Sequence, residues 1–520
     1  MTSIIQKPIK KLVITFVLVL LLGFFANWFL TYKIKETLSN LPPYIELTYD
    51  DLIINVLMGN VVLEGPRLKL KPSNSNLLDL DAKGTKAEVI DFGYFTFLTK
   101  KKVHIEQIEL KDFTINYIKG KAQSKKQDSI KQTNGHRNGF EIDKITLKNS
   151  IVSIKTDSIE EVLGLKIIKL DALGIQTNQA ENSINSINLN DVQGQIKDLK
   201  YQTNPYDHLI IGDLELNNNQ ALISDLQLKT KYSRADLSRI LKSERDHFDI
   251  SVDSVVLDKI SFGFDSNNRF FFGSENTNIQ NPNLVMFRDK LVNDSYANKP
   301  LYAKMLRDLN INLSLDTLSI NNGQLSYEEK VKSTNKGGRL NFQNLNTTVY
   351  RLGNTYENDT THIHIESDFM DKSPIAVDWK FVVQDPEDKF SFQGELAHFR
   401  VGEISKFTQP NLNVEFQGEL KETYFNINGN SYHSDIDLQV NFENFRVVVL
   451  RKDGKGKNKF FSGLVNMIVS TNSGKDTNAY YYGNINRIER DRTKSIFNFI
   501  WKNIEAGLVS AMTGSGKKKN

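Results

Sequence analysis

The chain has 520 residues, 39% hydrophobic and 25% charged, with 66 basic against 62 acidic side chains. It is too apolar for disorder, too polar for a multi-pass membrane protein at a mean hydropathy of -0.40, and too evenly charged for a nucleic-acid surface. With no cysteine, disulfides, thiolate catalysis and cysteine-ligated metal sites are excluded together.

Near the amino end, Leu12 to Leu30 reads LVITFVLVLLLGFFANWFL, without one charge. At about 1.5 Å per residue it spans roughly 29 Å, the thickness of a hydrocarbon core. Lys7, Lys10 and Lys11 precede it, Lys33, Lys35 and Glu36 follow, and Trp28 and Tyr32 stand where an interfacial belt would. The lysine bias predicts a cytoplasmic amino terminus and a single-pass anchor over residues 1–35, with the bulk of the chain outside that membrane. The run is too long for a signal-peptide core and has no small-x-small cleavage site.

A thirteen-residue pattern then recurs six times, starting at Ile105, Ile142, Ile184, Ile211, Val252 and Leu315. Position one is apolar throughout. So are positions four and six: Ile108 and Leu110, Ile145 and Leu147, Ile187 and Leu189, Leu214 and Leu216, Val255 and Leu257, Leu318 and Ile320. Positions seven and eight are always polar, and eleven and thirteen are apolar except for Gly194. Positions four and six share a strand face because side chains alternate with a period of two. A two-residue turn at seven and eight would bring eleven and thirteen onto that same face, giving a hairpin with one greasy side and one wet side. Position one is out of phase, which a bulge near positions two and three would repair. A helix is excluded, since position eight would have to be apolar.

Successive copies start 37, 42, 27, 41 and 63 residues apart, too irregular for a strict solenoid. The fold expected over residues 36–490 is mainly β: an elongated, antiparallel, curled sheet (a β-groove) built from repeated hairpins. Residues 119–139 read as a mobile loop, and short helical insertions are expected near 233–244, capped by Ser233, and near 284–309.

Residues 491–513 place Ile496, Ile500, Ile504, Leu508 and Met512 at four-residue steps, beside Phe497 and Trp501. This predicts an amphipathic helix, followed by a basic tail over 514–520. Ile496, Phe497, Ile500, Trp501, Ile504 and Leu508 would lie in a membrane interface, or the helix would cap the end of the sheet.

Catalytic signals are sparse. His362 and His364 would share a strand face but lack an obvious acidic complement, so no metal and no cofactor is expected. Arg451, Lys452, Lys455, Lys457 and Lys459 read as a solvated hairpin loop, and the GSGKKK stretch lacks the first glycine and following helix of a phosphate loop. No Ser-His-Asp grouping or carboxylate pair stands out, so the chain is not expected to be an enzyme.

A one-sided sheet must hide its grease under a second sheet, under helices, or against apolar guests in a trough, at roughly 25 cal/mol per Å². Helices are few, and lipid chains are the guests beside a membrane anchor. The anchor, the stretch LPPYIELTYDDLIINVLMGNVVLEGPRLKL and the recurring hairpins resemble the AsmA-like proteins of bacterial envelopes, over most of the chain. The resemblance implies a single-pass inner-membrane protein with a periplasmic β-groove, related to bridge-like lipid transfer proteins. It further implies phospholipid movement or outer-membrane homeostasis. The partners implied are phospholipid or other acyl-chain lipid, the inner membrane and envelope proteins, but no nucleic acid. The rival expectations are a scaffold of closed β-sandwiches without lipid, and a carbohydrate-active enzyme with carboxylates on the wet face.

Overall fold

Segments in which Val, Ile, Leu and Phe alternate with Asn, Asp, Ser and Lys pair as strands throughout the computed structural model. It describes residues 25–513 except 26, 30, 37, 71–78, 94–95, 97–102, 120–139, 157–159, 178–186, 189–190, 218, 268, 371 and 452–479. The chain divides into two units, residues 1–202 with 211–218, and residues 203–210 with 219–520.

The first unit opens with β1 (Ile45–Thr48), β2 (Asp51–Asn55), β3 (Asn60–Glu64), β4 (Arg67–Leu70), β5 (Asp79–Lys83) and β6 (Lys86–Phe92). It continues with β7 (Val103–Lys111), β8 (Thr114–Lys119), β9 (Phe140–Thr156), β10 (Glu161–Thr177), β11 (Ile187–Asn188) and β12 (Asp191–Asn204). Two branches meet on the long β9. The series β2, β3, β6, β7 reaches its first half, and β1, β4, β5, β8 its second. Beyond β9 the sheet continues through β10 to β12.

After β13 (Asp207–Asn217), the second unit holds β14 (Gln220–Thr230), α1 (Arg234–Ile240), β15 (Asp246–Asp258), β16 (Ser261–Phe264), β17 (Phe270–Gln280) and β18 (Asn283–Asp289). Then come α2 (Tyr302–Arg307), β19 (Asn312–Lys330), β20 (Gly338–Gly353), β21 (Thr360–Phe369), β22 (Ser373–Val382) and β23 (Phe390–Arg400). The unit ends with α3 (Ser405–Leu412), β24 (Val414–Gly429), β25 (His433–Val449), β26 (Tyr481–Glu489) and α4 (Ile496–Met512). From β19 to β26 each strand pairs antiparallel with the next.

The repeats differ from the hairpins expected of them. In the second and sixth copies β9 and β19 run straight through positions seven and eight. In the first and fifth, the two halves lie in line along one neighbour: β7 and β8 both pair with β9, and β15 and β16 both pair with β17. In these four copies position eight is a single left-handed residue: Asp112 (φ 55), Asn149 (φ 48), Lys259 (φ 49) and Asn322 (φ 54); Asp191, at position eight of the third copy, is not left-handed. A type I′ hairpin needs two such residues in succession, so one alone kinks the strand without reversing it.

A second kink falls at position two. Glu106, Asp143, Asp253 and Asp316 drop out of the pairing, opposite the left-handed Asp91, Gly174, Asp225 and Arg351. Of the eighteen left-handed non-glycine residues among the described ones, seven are Asn and five Asp, whose short polar side chains enter that region at least cost. Neighbouring kinks align across strands. Asn281 Nδ2 donates to Asp253 Oδ2 and Asn322 Nδ2 to Asn281 Oδ1, each at 2.8 Å.

The sheets also depart from a purely antiparallel arrangement. β7 and β8 run parallel to β9, and β17 and β18 parallel to β19. Parallel neighbours need a long crossover, and residues 290–311, with α2, supply the second one. The insertion expected near 284–309 is therefore a strand end followed by this helix. α1 begins where its cap was expected, with Ser233 Oγ accepting from the Asp236 amide.

The anchor segment 12–30 lies mostly outside the described residues, as do the loop 120–139 and the tail 514–520. No helix among the described residues is long and apolar enough to cross a membrane. Residues 31–36 are helical, and Asn27 Oδ1 accepts from the Val56 amide.

Asn149→Val or Asn322→Val places a β-branched side chain in the left-handed region and should cost about 1–2 kcal/mol, with glycine at either position costing less. Urea unfolding followed by far-ultraviolet circular dichroism measures the difference; equal losses for valine and glycine would contradict the role given to these kinks.

Candidate functional site: an apolar wall

Cross-strand register in the first unit lines up the fourth and sixth positions of the repeats. One row runs Ile54, Val61, Val89, Ile108, Ile145, Ala172, Val192 across seven strands. Beside it run Leu52, Leu63, Ala87, Leu110, Leu147, Leu170 and Gly194. A Cβ at Gly194 would lie 2.1 Å from the Lys169 carbonyl oxygen, so only glycine fits that exceptional eleventh position. Past the kinks, two further rows carry Ile115 with Val152 and Tyr117 with Ile154, extending to Leu165 and Leu163.

At each kink the apolar spacing lengthens from two residues to three, as in Leu163, Leu165, Ile167, Leu170, Ala172 and Ile175 of β10. This keeps the grease on one side. Burial in β15 reports the same step, since Val252, Val255 and Leu257, at positions one, four and six, are the buried ones.

Apart from Leu52 and Ile54 on β2, every member of the two seven-strand rows is half-buried. Neighbours in a row shield one another's flanks, and the described strands of this unit all belong to one sheet. The opposite face is polar: Glu88, Glu109, Thr146, Asp171 and Gln193 form the adjacent row. Lys148 pairs with Glu109 at 2.8 Å, and Lys144 and Lys169 each approach Asp171 at 3.1 Å. Burial works against ionisation of Asp171, but Thr146 and the two lysines hold its pKa below the ordinary carboxylate value. Thr146 and Asp171 are buried, at 1% and 7% exposure, beneath lysines that stay partly exposed, so this face is polar and covered by its own side chains.

The second unit repeats the device on a larger scale. Ala221, Leu257, Thr277, Leu318, Val349, Ile363, Trp379, Phe392, Ile427, Ile436 and Ile485 follow one another across eleven strands. The parallel row contains Val255, Ile320, Val377 and Leu438. Here the far end is filled. Ile427, Leu438 and Val440 are 0% exposed beneath α4, whose Ile496, Phe499 and Ile500 join the same core. The helix comes so close that a Cβ at Gly483 would stand 1.9 Å from the Gly507 carbonyl oxygen. The fully buried Asn503 fixes its position: Oδ1 accepts from Ser434 Oγ and Nδ2 donates to the Phe499 carbonyl, each at 2.8 Å.

The structure thus gathers Ile108, Leu110, Ile145 and Leu147 on one wall, and Val255, Leu257, Leu318 and Ile320 on another. Leu214 and Leu216 are half-buried in β13; Leu189 and the side chain of Ile187 lie outside the described residues. In the fifth copy the segment past the kink leaves Phe262 and Phe264 exposed, at 38% and 65%. The repeat alone missed the intervening members, such as Val61, Val89 and Trp379; their signal was ordinary alternation, as in AVDWKFVVQ. On α4, Ile496 and Ile500 enter the core and Ile504 and Leu508 pack at its edge, while Phe497 and Trp501 remain exposed.

The two strand histidines do have an acidic neighbour. Asp378 Oδ1 lies 2.6 Å from His362 Nε2 and 3.2 Å from His364 Nδ1. No group of three or more such residues able to hold a metal occurs among the described residues. Of the expected basic loop, only Arg451 is described. Comparison of the chain with protein-family models and with curated proteins returned no match.

Gly483→Ala should push α4 off the sheet, at about 1–3 kcal/mol, and expose residues 490–513 to proteolysis; unchanged cleavage would contradict the close packing. His364 has a sign in pH. Partial burial opposes its charge, but Asp378 and then Glu366 raise the His364 pKa, so its stabilisation is present below the ordinary histidine value and lost as pH rises through the folded one. The melting temperature of the wild type should therefore fall from pH 6 to pH 8 more than that of His364→Gln, by scanning calorimetry.

Proposed function

We propose that this protein is a membrane-anchored envelope protein of AsmA-like type, held by residues 12–30, whose apolar wall carries the acyl chains of phospholipids outside the inner membrane. The observation that carries the reading is the pair of apolar rows across seven strands of the first unit, half-buried beyond β2 and faced on the other side by ion pairs. A hydrocarbon chain on such a wall gains about 0.8 kcal/mol per methylene removed from water. Rungs repeat every ~4.8 Å with no directional bond to break, so a chain sliding along a row exchanges each contact for an equivalent one. The headgroup stays in water, and no chemical step is needed. Movement of lipid between the envelope membranes, or maintenance of the outer one, is the role this supports. The filled core beneath α4 favours the rival reading, a dry scaffold, for that part of the chain.

The test is photocrosslinking of the full chain to a phospholipid with a diazirine on its acyl chain, with adducts mapped by peptide mass spectrometry. Adducts are expected on β7, β9 and β10. Leu147→Asp should reduce them on the order of tenfold, because a carboxylate on the wall must be desolvated; Lys166→Asp, on the wet face, should not. Adducts confined to residues 12–30 would end the proposal.

A further inference from the structure

α4 has more apolar surface than the sheet takes up. Its inner arc, with Ile496, Phe499, Ile500, Asn503 and Gly507, is buried, yet Phe497, Trp501 and Val509 are 58%, 48% and 57% exposed. The helix cannot roll to hide them, because the Gly483–Gly507 contact and the Asn503–Ser434 bond fix its rotation. Phe497 leans by one edge on Tyr302 of α2, with ring centroids 6.3 Å apart, and Met305 on that helix is 49% exposed as well. An apolar ridge on two helices, locked outward, is a standing cost in water unless something covers it.

We infer that this ridge docks on the surface of an anionic lipid bilayer, with α4 acting at once as the cap of the apolar core and as a membrane foot. Charge supplies the argument for this occupant. From Lys502 onward the side chains Lys502, Lys517, Lys518 and Lys519 stand against Glu505 alone, a net balance of +3. Aromatic side chains at headgroup depth with lysines beside anionic phosphates are the ordinary chemistry of an interfacial helix. The inference is independent of the lipid-carrying wall: the foot touches a membrane surface, whereas the wall holds single chains.

The lack of cysteine makes the test direct. The full chain carrying Val509→Cys, labelled with a polarity-sensitive fluorophore, is mixed with vesicles of phosphatidylglycerol and phosphatidylethanolamine, or of phosphatidylcholine alone. Emission should rise severalfold with the anionic vesicles and be quenched by nitroxide lipids, while a label at Asn428→Cys on the wet face stays constant. Trp501→Asp should abolish the rise without altering the wall adducts described above, so the two proposals fail separately. Replacing Lys517, Lys518 and Lys519 by glutamine should weaken the response on the order of a hundredfold, at about 1 kcal/mol per lysine. No response to either vesicle would overturn the inference. So would a rise that depends on protein concentration without vesicles, since the ridge would then cover itself with a second copy.

Discussion

Everything in this fold depends on strands that bend without losing their facing. A long strand kinked by one left-handed residue would normally throw its side chains out of phase. Here the apolar spacing lengthens by one residue at each kink, and neighbouring strands kink at the same level. Asp253 on β15, Asn281 in the break between β17 and β18, and Asn322 on β19 show the arrangement most plainly, tied by amide and carboxylate hydrogen bonds. The asparagines and aspartates at these kinks thereby acquire a structural meaning, because they adopt the left-handed conformation most cheaply after glycine.

From that alignment come the continuous apolar rows, and from the rows two different fates. In the first unit the rows beyond β2 stay half-buried, with ion pairs such as Lys148–Glu109 on the reverse side. In the second, α4 settles on the far end and turns the same pattern into a closed core in which Ile427 and Leu438 lose all exposure. One sequence device therefore yields a half-buried wall in one unit and, where a helix covers it, a packed interior in the other.

Much of this was legible beforehand. Positions four and six marked members of the rows, and Ser233 announced α1. The hairpins were misread for an identifiable reason: polar residues at positions seven and eight satisfy a turn and a kink equally well, and only the conformation of the second distinguishes them. The aspartate facing His362 and His364 sits on the next strand, where linear spacing could not reveal it. Likewise, four-residue steps on α4 grouped Ile496 with Phe497, although the helix buries one and exposes the other.

What the sequence by itself determined is the strand content, the two-sidedness of the strands and the apolar positions, because period-two alternation is local and needs no knowledge of neighbours. Tertiary structure alone decided which strands pair, which run parallel and which rows are covered. Those outcomes depend on residues far apart in the chain, such as Gly483 meeting Gly507, and a contact that close is set by the approach of two backbones rather than by any spacing along one.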